Sequence, residues 1–564
     1  MITFAASTRP FLTMIVLCLL ASRAHMVAQT AAAPQTTPAN NYRVSGTVVS
    51  KTDGHPLARV RVTLRDTKNS QKFESRVTAE DGKFYFQSVP PGKYSLAGAK
   101  RGFMTAAYDQ HEQFSTAIVT GAGVDTEALI LRLAPAAIIT GKILDESGDP
   151  VRHATVALYY QDHSSGVDQV RQSRGTQTDD QGEYELPSLT PGTYFLSAHA
   201  KPWYAIHPQT DSGPRSRRKN QPDPTENFDR SLDVAYPATY YSDSTDADSA
   251  TPISIHGGER VQVDIHLNPV PSLRLLFHVP TNGNRGYAMP QLEQPAFGDS
   301  TYFQTDGARV ISPGLVEMTG VPAGRYNIRI NQPGVSSEMT GVDLTKDGEE
   351  INTSSAEATS SVKVMVQVAG TTTLPDRLMV SLYTSARTQM WMPVDAKGEV
   401  EFPQISAGRY EVILSGSARP YSIRQISAEG ATISGHTLIL PAASSASVSV
   451  TAVAGNWNID GTVKQAGKPF AGAMVVLVPK DIQKNPEMSR DLFRRDQSDL
   501  DGTFSLHNVV PGSYVVVAIE NGWDLDWSQP NAIAPYLPHG RTIEVDAQAG
   551  QTMHIAEAVE VQEK

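Results

Sequence analysis

Cysteine is almost absent from this chain of 564 residues, and its single copy, Cys18, lies in an apolar run near the N-terminus. Beyond that run the chain can form no disulfide, no thiol nucleophile and no cysteine-based metal site. The Ile-Val-Leu before Cys18 lacks the small residue that a lipoprotein signal requires, so lipidation is not expected. Stability must therefore come from ordinary packing.

Basic charge and long apolar runs are also scarce. The formal net charge is −11, and it becomes −13 without residues 1–28, because that segment carries Arg9 and Arg23 and no acid. An acidic chain argues against nucleic acid as a partner. Residues 1–28 predict a secretory signal peptide, with Arg9 ahead of an apolar run, Phe11 to Ala21, that is too short to span a membrane. We therefore expect a secreted or periplasmic protein without membrane insertion after signal cleavage.

Helical periodicity and catalytic motifs are missing as well. After the N-terminus, no stretch shows the sustained 3.6-residue apolar pattern of an amphipathic helix. We find no Ser/His/Asp order with a nucleophile elbow and no phosphate-binding glycine loop. These absences favour an all-β, non-enzymatic protein, and no cofactor is expected apart from calcium at one acidic cluster.

The chain does contain one pattern written five times: a Gly, followed ten residues later by Gly-x-Tyr. The opening glycines are Gly82, Gly182, Gly314, Gly398 and Gly502. Apolar residues alternate after each of them, which places one set of side chains on one strand face. A Pro-Gly or Ala-Gly pair then turns the chain back, so each copy predicts a β-hairpin. The spacing predicts tandem β domains.

Each copy extends into about seven short strands within roughly 90 residues, which is typical of an antiparallel β-sandwich. The first, second and fifth copies open alike, whereas the third and fourth are degenerate at their openings. The predicted organisation is a signal peptide over 1–28, a disordered leader over 29–41 and five sandwiches over 42–134, 135–270, 271–360, 361–454 and 455–564. An irregular insert near 207–250 lengthens the second sandwich, either as a surface loop or as a binding loop.

These motifs carry a family resemblance. The pattern Ser-Gly-Thr-Val, Pro-Leu-Ala-x-Val, Asp-Gly-x-Phe-x-Phe and Val-x-Pro-Gly-x-Tyr, which begins at Ser45 and ends at Tyr94, resembles the carboxypeptidase regulatory-like domain. That domain is a transthyretin-like β-sandwich related to the B-type repeats of bacterial adhesins, and it has no catalytic residues of its own. The resemblance implies an exported bacterial protein with a structural, adhesive or binding role. The implied partner is a cell-envelope protein or a polysaccharide, and open sheet edges would also permit self-association.

Aromatic residues in one loop of the fifth domain form a candidate carbohydrate site. An aromatic recurs eleven residues past the second repeat Gly in three copies, as Phe103, Trp203 and Trp523. One interpretation is a plug over the end of the sandwich, and the other is a stacking platform for sugar rings. In the second, carboxylates would accept bonds from sugar hydroxyls. The candidate site consists of Trp523, Asp524, Asp526 and Trp527.

Acidic residues just before a turn form a candidate calcium site. Asp496, Asp499 and Asp501 precede Gly502, and oxygen-rich loops of this kind can hold calcium. The turn alone also explains an Asp next to a Gly, and the pattern of acids at every second position is incomplete. Both interpretations stay open at this point.

A His-x-x-Glu sequence provides a third functional hypothesis. His256 and Glu259 match the zinc-binding pattern of carboxypeptidases. A zinc peptidase also needs a third ligand, a general base and a large catalytic domain, and the sequence offers none of them. The two glycines between His256 and Glu259 explain the spacing as a simple turn.

Overall fold

The repeat that dominates the sequence forms an arch between two sheets, and the prediction of a hairpin is wrong in this respect. The strand after the first Gly of each copy, such as Lys83–Val89, lies in one sheet, while the strand after the second Gly, such as Gly92–Ala99, lies in the facing sheet. Their apolar side chains meet across the core instead of lying side by side. Ser88, just before the turn, adopts a left-handed backbone with φ of 60° that redirects the chain.

The two glycines and the tyrosine of the repeat have separate roles in this arch. Gly82 has a φ of 72°, and a Cβ there would lie 2.7 Å from the carbonyl oxygen of Val48, so only glycine fits. The ring of the tyrosine packs over the second glycine, and its hydroxyl donates to the carbonyl four residues upstream. This bond measures 3.0 Å for Tyr94, 2.9 Å for Tyr194 and 2.8 Å for Tyr514. The repeat therefore fixes the crossing between sheets.

The computed structural model describes residues 41–121, 123–208, 228–279, 289–303, 308–332, 335–353, 357–358, 360–370, 374–383, 388–405, 407–416, 421–455, 457–484, 492–546 and 552–564. The predicted signal peptide and the leader up to residue 40 lie outside these residues. Asn41–Lys564 forms one compact unit. Within the described part, no helix has both the length and the apolar character needed to cross a membrane.

The first two sandwiches each consist of two facing sheets. The strands of the first are β1 Tyr42–Ser50, β2 Arg61–Asp66, β3 Phe73–Val77, β4 Lys83–Val89, β5 Gly92–Ala99, β6 Ala106–Ala107, β7 Ile118–Thr120 and β8 Leu129–Leu133. Its sheets have the orders β4-β1-β8 and β3-β2-β5-β6, with β7 also on β5. The strands of the second are β9 Ala137–Leu144, β10 Thr155–Asp162, β11 Gln169–Gln177, β12 Glu183–Leu189, β13 Gly192–His199, β14 Val234–Ala235, β15 Thr239–Tyr240, β16 Ile253–Ile255, β17 Arg260–Gln262 and β18 Ile265–His266. Its sheets contain β12-β9-β17 and β11-β10-β13-β15.

The third and fourth sandwiches keep the same plan despite their degenerate openings. The strands of the third are β19 Val270–His278, β20 Met289–Ala296, β21 Asp299–Phe303, β22 Ala308–Ser312, β23 Leu315–Pro322, β24 Gly324–Gln332, β25 Val335–Leu344, β26 Glu349–Asn352 and β27 Glu357–Ala358. The strands of the fourth are β28 Ser360–Val368, β29 Met379–Tyr383, β30 Thr388–Pro393, β31 Glu399–Ile405, β32 Gly408–Ser415, β33 Tyr421–Glu429, β34 Thr432–Ser434, β35 Thr437–Leu440 and β36 Ser445–Ala454. Strand β14 of the insert pairs with β19, so part of the insert extends a sheet of the third sandwich.

The fifth sandwich differs because its last strand joins its two sheets. Its strands are β37 Trp457–Gln465, β38 Lys468–Pro469, β39 Met474–Pro479, β40 Arg494–Gln497, β41 Thr503–Val509, β42 Gly512–Glu520, β43 Arg541–Val545, β44 Thr552–His554 and β45 Val559–Glu563. Strand β45 pairs with both β37 and β42, which produces one nine-stranded sheet. The helical segments of the described chain are short: 3₁₀ turns at Arg230–Leu232, Ala247–Ser249, Gly522–Asp524 and Ala534–His539, and one α-helical turn at Pro530–Ile533.

Each sandwich also pairs its first strand in parallel with a late strand, for example β1 with β8 and β28 with β36. In the second sandwich β9 is parallel to both β17 and β18, and in the fifth β37 is parallel to β44 and β45 while β42 is parallel to β45. The other strand pairs in these sheets are antiparallel. Gly141 permits the close approach that the parallel pairing requires, because a Cβ at that position would lie 1.7 Å from the carbonyl oxygen of Val263. The Gly that recurs in the opening motif of the first, second and fifth copies therefore has a packing role. Each sandwich encloses its own apolar core.

Candidate functional site

The fifth domain contacts the first and second domains, and the loop residues singled out in the sequence lie at this contact. We call it the junction. It comprises residues 93–117 of the first domain, 163–168 of the second, and 495–503 with 523–528 of the fifth. The sequence pattern did not predict this contact.

A segment of the fifth domain builds its side of the junction. All six residues of β39 and the six residues Tyr514–Ile519 of β42 are buried, because the inner face packs in the sandwich core and the outer face is covered by residues 523–537. Met474, Val476 and Val517 pack on this outer face beneath Trp527 and Ile533. The covering segment thereby holds its aromatic side chains against the neighbouring domains.

Arg495 is the central residue of the junction. Its guanidinium forms two bonds to the carboxylate of Glu112 in the first domain, Nη1–Oε1 at 3.2 Å and Nη2–Oε2 at 2.6 Å. It also donates to the carbonyl of Ser164 in the second domain at 3.2 Å. The Arg495 side chain is 4% exposed. A planar guanidinium with fixed donors suits such a bidentate, buried pair, which joins three domains at one residue.

Aromatic rings surround the Arg495 guanidinium. Its central carbon lies 4.2 Å from the ring centroid of Trp527, 5.2 Å from that of Phe114 and 6.0 Å from that of Trp523. Trp523 in turn stacks on His111 of the first domain, with centroids 4.9 Å apart and an angle of 4° between the rings. Cation–π contacts stabilise a desolvated cation, so the rings partly replace the water that burial removes from Arg495.

A second ion pair lies beside the first. Lys93 Nζ is 2.6 Å from Asp499 Oδ2 and 2.8 Å from the hydroxyl of Thr503. The other oxygen of Asp499 accepts from the Ala117 amide at 2.9 Å, and the Leu500 amide donates to the Ala117 carbonyl at 3.0 Å. The Leu500 side chain packs against the core of the first domain. Backbone, charge and apolar contacts therefore coincide at two consecutive residues, Asp499 and Leu500.

Gln497 connects the same turn to a loop of the first domain. Its side-chain nitrogen, Nε2, donates to the Thr116 hydroxyl at 2.8 Å and to the backbone carbonyl of Asp109 at 2.6 Å. His111 Nδ1 is 3.2 Å from Gln497 Oε1. Gly472, with φ of 81°, permits this approach, because a Cβ there would lie 2.4 Å from Asp109 Oδ2. The polar groups in this contact are paired with one another, as buried polar groups require.

The second domain joins the junction through His163 and Gly166. His163 Nε2 is 2.9 Å from the Leu525 carbonyl oxygen, and Nδ1 is 2.8 Å from Asp168 Oδ1. Burial lowers the pKa of His163, but the Leu525 carbonyl and the Asp168 carboxylate favour the protonated ring more strongly and hold its pKa above the usual value. The Ser528 hydroxyl donates to the Gly166 carbonyl at 3.1 Å.

Burial also perturbs two carboxylates of the fifth domain. Burial raises the pKa of Asp496 to about 6, against the effect of the amides of Ser505 and Gln497. Burial likewise raises the pKa of Asp499, and Lys93 opposes that shift. Desolvation penalises the charged form of a carboxyl group, so ionisation of these side chains at neutral pH lowers the stability of the folded chain.

Of the predicted carbohydrate residues, Trp523 and Trp527 are covered at the junction, whereas the side chains of Asp524 and Asp526 are exposed. Trp527 is 9% exposed, and Trp523 is partly buried with His111 across one face. Asp524 pairs with Lys564 at 2.5 Å, and Asp526 lies 3.7 Å from His163. The assignment of these four residues to carbohydrate binding stays a prediction; in this structure the two tryptophans pack on the outer face of β39 and β42.

Each of the three predicted calcium-binding carboxylates has a different partner. Asp496 Oδ2 accepts from the Ser505 amide at 2.7 Å, Asp499 pairs with Lys93, and Asp501 Oδ1 accepts from the Thr503 amide at 3.0 Å. Among the described residues, no group of three or more His, Cys, Asp or Glu side chains is arranged to hold a metal ion. Calcium binding by Asp496, Asp499 and Asp501 stays a prediction.

His256 and Glu259, the zinc hypothesis, bond to each other. His256 Nδ1 lies 3.0 Å from Glu259 Oε1, and the His256 amide donates to Glu259 Oε2 at 2.9 Å. His256 is 78% exposed, and the pair closes the glycine turn before β17. The contact explains the His-x-x-Glu spacing as turn geometry.

Glu112, Arg495 and Gln497 were missed by the sequence analysis. Each belongs to an irregular loop or a short strand without a recognisable motif. One signal was present: Met474–Pro479 reads as a continuous apolar run, whereas Arg61–Asp66 at the same place in the first copy alternates. A continuous run indicates a strand buried on both faces, and hence an additional layer over the fifth domain.

Comparison with known proteins agrees with this architecture. A family model described as the carboxypeptidase regulatory-like domain matches residues 43–127 and 138–208. These two segments are carboxypeptidase regulatory-like domains. They hold the junction residues of the first and second domains, including Glu112 and His163. No curated protein matches the chain.

Several solved structures are similar to parts of these tandem carboxypeptidase regulatory-like domains and the sandwiches that follow. A streptococcal ancillary pilin shares 12% identity over 55% of this chain and 98% of its own, with a TM-score of 0.20. A minor pilin of Streptococcus agalactiae shares 14% over 43% and 100%, with a TM-score of 0.20. Two B repeat units of the collagen-binding protein of Staphylococcus aureus share 10% over 73% and 99%, with a TM-score of 0.12. Identities and TM-scores this low carry no functional conclusion.

Proposed function

We propose that this chain is an exported, non-enzymatic repeat protein with a structural or adhesive role at the bacterial cell envelope. In this role the junction holds the first, second and fifth domains as one body, which presents the remaining loops to a polysaccharide or an envelope protein. Secretion or periplasmic export through residues 1–28 is part of the proposal.

One observation carries the proposal: two buried charged side chains of the fifth domain, Arg495 and Asp499, form ion pairs with another domain. Arg495 pairs with Glu112, and Asp499 pairs with Lys93, both across the junction. A catalytic carboxylate needs an open approach for a substrate, whereas these groups are covered by neighbouring domains. Paired charges and stacked rings of this kind stabilise an arrangement of domains.

The proposal is tested by retention on cell envelopes. Purified chain is incubated with envelope fragments and a polysaccharide panel from the source bacterium, with and without EDTA, and depletion from solution is measured. We expect saturable retention of the intact chain without release of peptide or sugar fragments. Turnover of any peptide or glycan by the purified chain, or absence of retention on every preparation, would refute the proposal. Loss of retention in EDTA would support the calcium prediction.

A further inference from the structure

The second domain reaches the fifth through its turn at residues 163–168, between β10 and β11. Gly166 in this turn is buried against Trp527, and a Cβ there would lie 2.7 Å from the indole ring. Among the described residues, three hydrogen bonds cross the contact, between His163 and Leu525, Ser528 and Gly166, and Arg495 and Ser164. With so few bonds, the loss of one weakens the attachment substantially.

Both ring nitrogens of His163 face acceptors. Nε2 lies 2.9 Å from the Leu525 carbonyl oxygen, and Nδ1 lies 2.8 Å from a carboxylate oxygen of Asp168 in the same turn. The other oxygen of Asp168 accepts from Gln161 Nε2 at 2.7 Å, which fixes the carboxylate in place. A carbonyl and an ionised carboxylate can only accept, and a neutral imidazole carries a single N–H. Only the doubly protonated ring therefore satisfies both contacts.

The charges around the ring favour the same state. Burial lowers the pKa of His163, but its two hydrogen bonds and the nearby carboxylates raise it more, so that the pKa lies above the ordinary value of 6.5. One of these carboxylates is that of Asp168, and the other is that of Asp526 in the fifth domain, 3.7 Å from Nε2. Three charged pairs border the contact, Asp162 with Arg171, Arg495 with Glu112 and Asp524 with Lys564. The charged ring thus attracts a carboxylate from each of the two domains.

Loss of one proton breaks the bond between the domains rather than the bond within the turn. The Asp168 carboxylate is a stronger acceptor than a carbonyl, so Nδ1 keeps its hydrogen and Nε2 loses it. The Nε2 lone pair then faces the Leu525 oxygen, which keeps the Trp527 amide as its donor. Two acceptors at this distance repel each other, and the attraction to Asp526 ends in the same step.

We propose that His163 is a pH-sensitive latch of the junction: the charged ring holds the second domain on the fifth, and its deprotonation releases that contact. Because the folded chain raises the pKa of the ring, the contact is fully stabilised below about pH 6.5 and weakens as the pH rises through the higher value. The contact between the first and fifth domains does not use this ring and should stay closed. The latch regulates the junction and rests on the proposed role of the junction for its biological meaning.

The test is hydrogen exchange of the full exported chain at pH 6 and pH 8.5, corrected for the intrinsic exchange rate at each pH. The Gly166 amide, which donates to the His163 carbonyl beside Trp527, reports from the second domain, and the Trp527 amide reports from the fifth. Both should exchange about tenfold faster or more at pH 8.5, because a charged hydrogen bond is lost. The Leu500 amide, bonded to the first domain, should keep its protection.

His163→Gln keeps a donor for the Leu525 carbonyl but cannot ionise, so exchange at the two amides should change with pH by less than about threefold. The variant retains Asp496 and Asp499, whose raised pKa values would otherwise confuse the comparison. His256→Gln, at an exposed histidine of the same domain outside the junction, is the matched control and should behave as the wild type.

Three results would overturn the inference: wild-type exchange at both amides that does not depend on pH, the same pH dependence in His163→Gln, or faster exchange at Gly166 alone, which would mean that only the turn loosens. Circular dichroism checks folding. Should His163→Gln not fold, carbon-13 NMR titration of the wild-type ring decides, and a midpoint at or below pH 6.5 would reject the latch. Retention on cell envelopes at pH 6 is measured separately, so failure of the latch leaves the proposed function standing.

Discussion

Replacing Arg495 by Met should open the junction while leaving each sandwich folded. The substitution keeps the length of the side chain but leaves the Glu112 carboxylate, which is 20% exposed, without the two bonds that now satisfy it. Removing one partner of a buried pair costs about 3–5 kcal/mol. Loss of the cation–π contact with Trp527 adds to this cost.

The sharpest readout is hydrogen exchange at two amides of the junction. The Leu500 amide donates to the Ala117 carbonyl, and the Ala117 amide donates to Asp499, so both are protected only while the first and fifth domains are in contact. A loss of about 4 kcal/mol corresponds to a roughly thousandfold faster exchange through local opening. Amides in β1 and β42, inside the individual sandwiches, should keep their protection.

Arg494→Met is the control for this experiment. Arg494 neighbours Arg495, but its guanidinium donates to the Asn508 carbonyl of its own domain, at 3.0 and 2.9 Å. Glu112→Gln and the double variant complete a double-mutant cycle that isolates the pair from its surroundings. If Arg495→Met changed exchange at the two amides by less than about threefold, or if Arg494→Met had the same effect, the assigned role of the ion pair would be refuted.

Three further predictions follow from the same structure. The raised pKa of Asp496, about 6, means that its contribution to stability is present at low pH and is lost as the pH rises through 6. Urea unfolding of the wild type should therefore lose about 2 kcal/mol more between pH 4 and pH 7 than that of Asp496→Asn; equal losses would contradict the shift. Gly472→Ala should lower the free energy of junction opening, measured by hydrogen exchange, by about 1–3 kcal/mol, because the new Cβ would meet Asp109. Gly467→Ala is the control: Gly467 has a similar φ of 78° but open space around it, so the junction should be unaffected. Tyr514→Phe should cost about 1–3 kcal/mol in urea unfolding, because the buried Val510 carbonyl loses its donor; a change under about 0.5 kcal/mol would show that the hydroxyl does not anchor the arch.

The class of fold was predictable because its signals are local. Alternation in segments such as Lys83–Val89, together with a glycine at positive φ, restricts a short stretch of backbone to one geometry. The pairing of these strands was less predictable: the turn before Gly92 connects facing sheets, because the left-handed Ser88 redirects the chain, and a serine does not reveal this conformation. The domain boundaries drawn from the sequence stay a prediction.

The junction could not be predicted because its partners are far apart in the chain. Lys93 and Asp499 are separated by 406 positions, and no local pattern specifies such a pairing. Trp523 and Trp527 were recognised as unusual, but an aromatic that covers a neighbouring domain and one that stacks on a sugar have the same sequence signature. The sequence alone therefore left both interpretations open.

The contact between the first and fifth domains also determines how the chain bears mechanical load. A force applied between β1 and β45 would be shared between two paths: one across the junction, through the first and fifth sandwiches alone, and one through the second, third and fourth sandwiches. The share borne by the junction depends on the Arg495–Glu112 and Lys93–Asp499 pairs. If those contacts broke first, the whole force would pass through the intervening sandwiches.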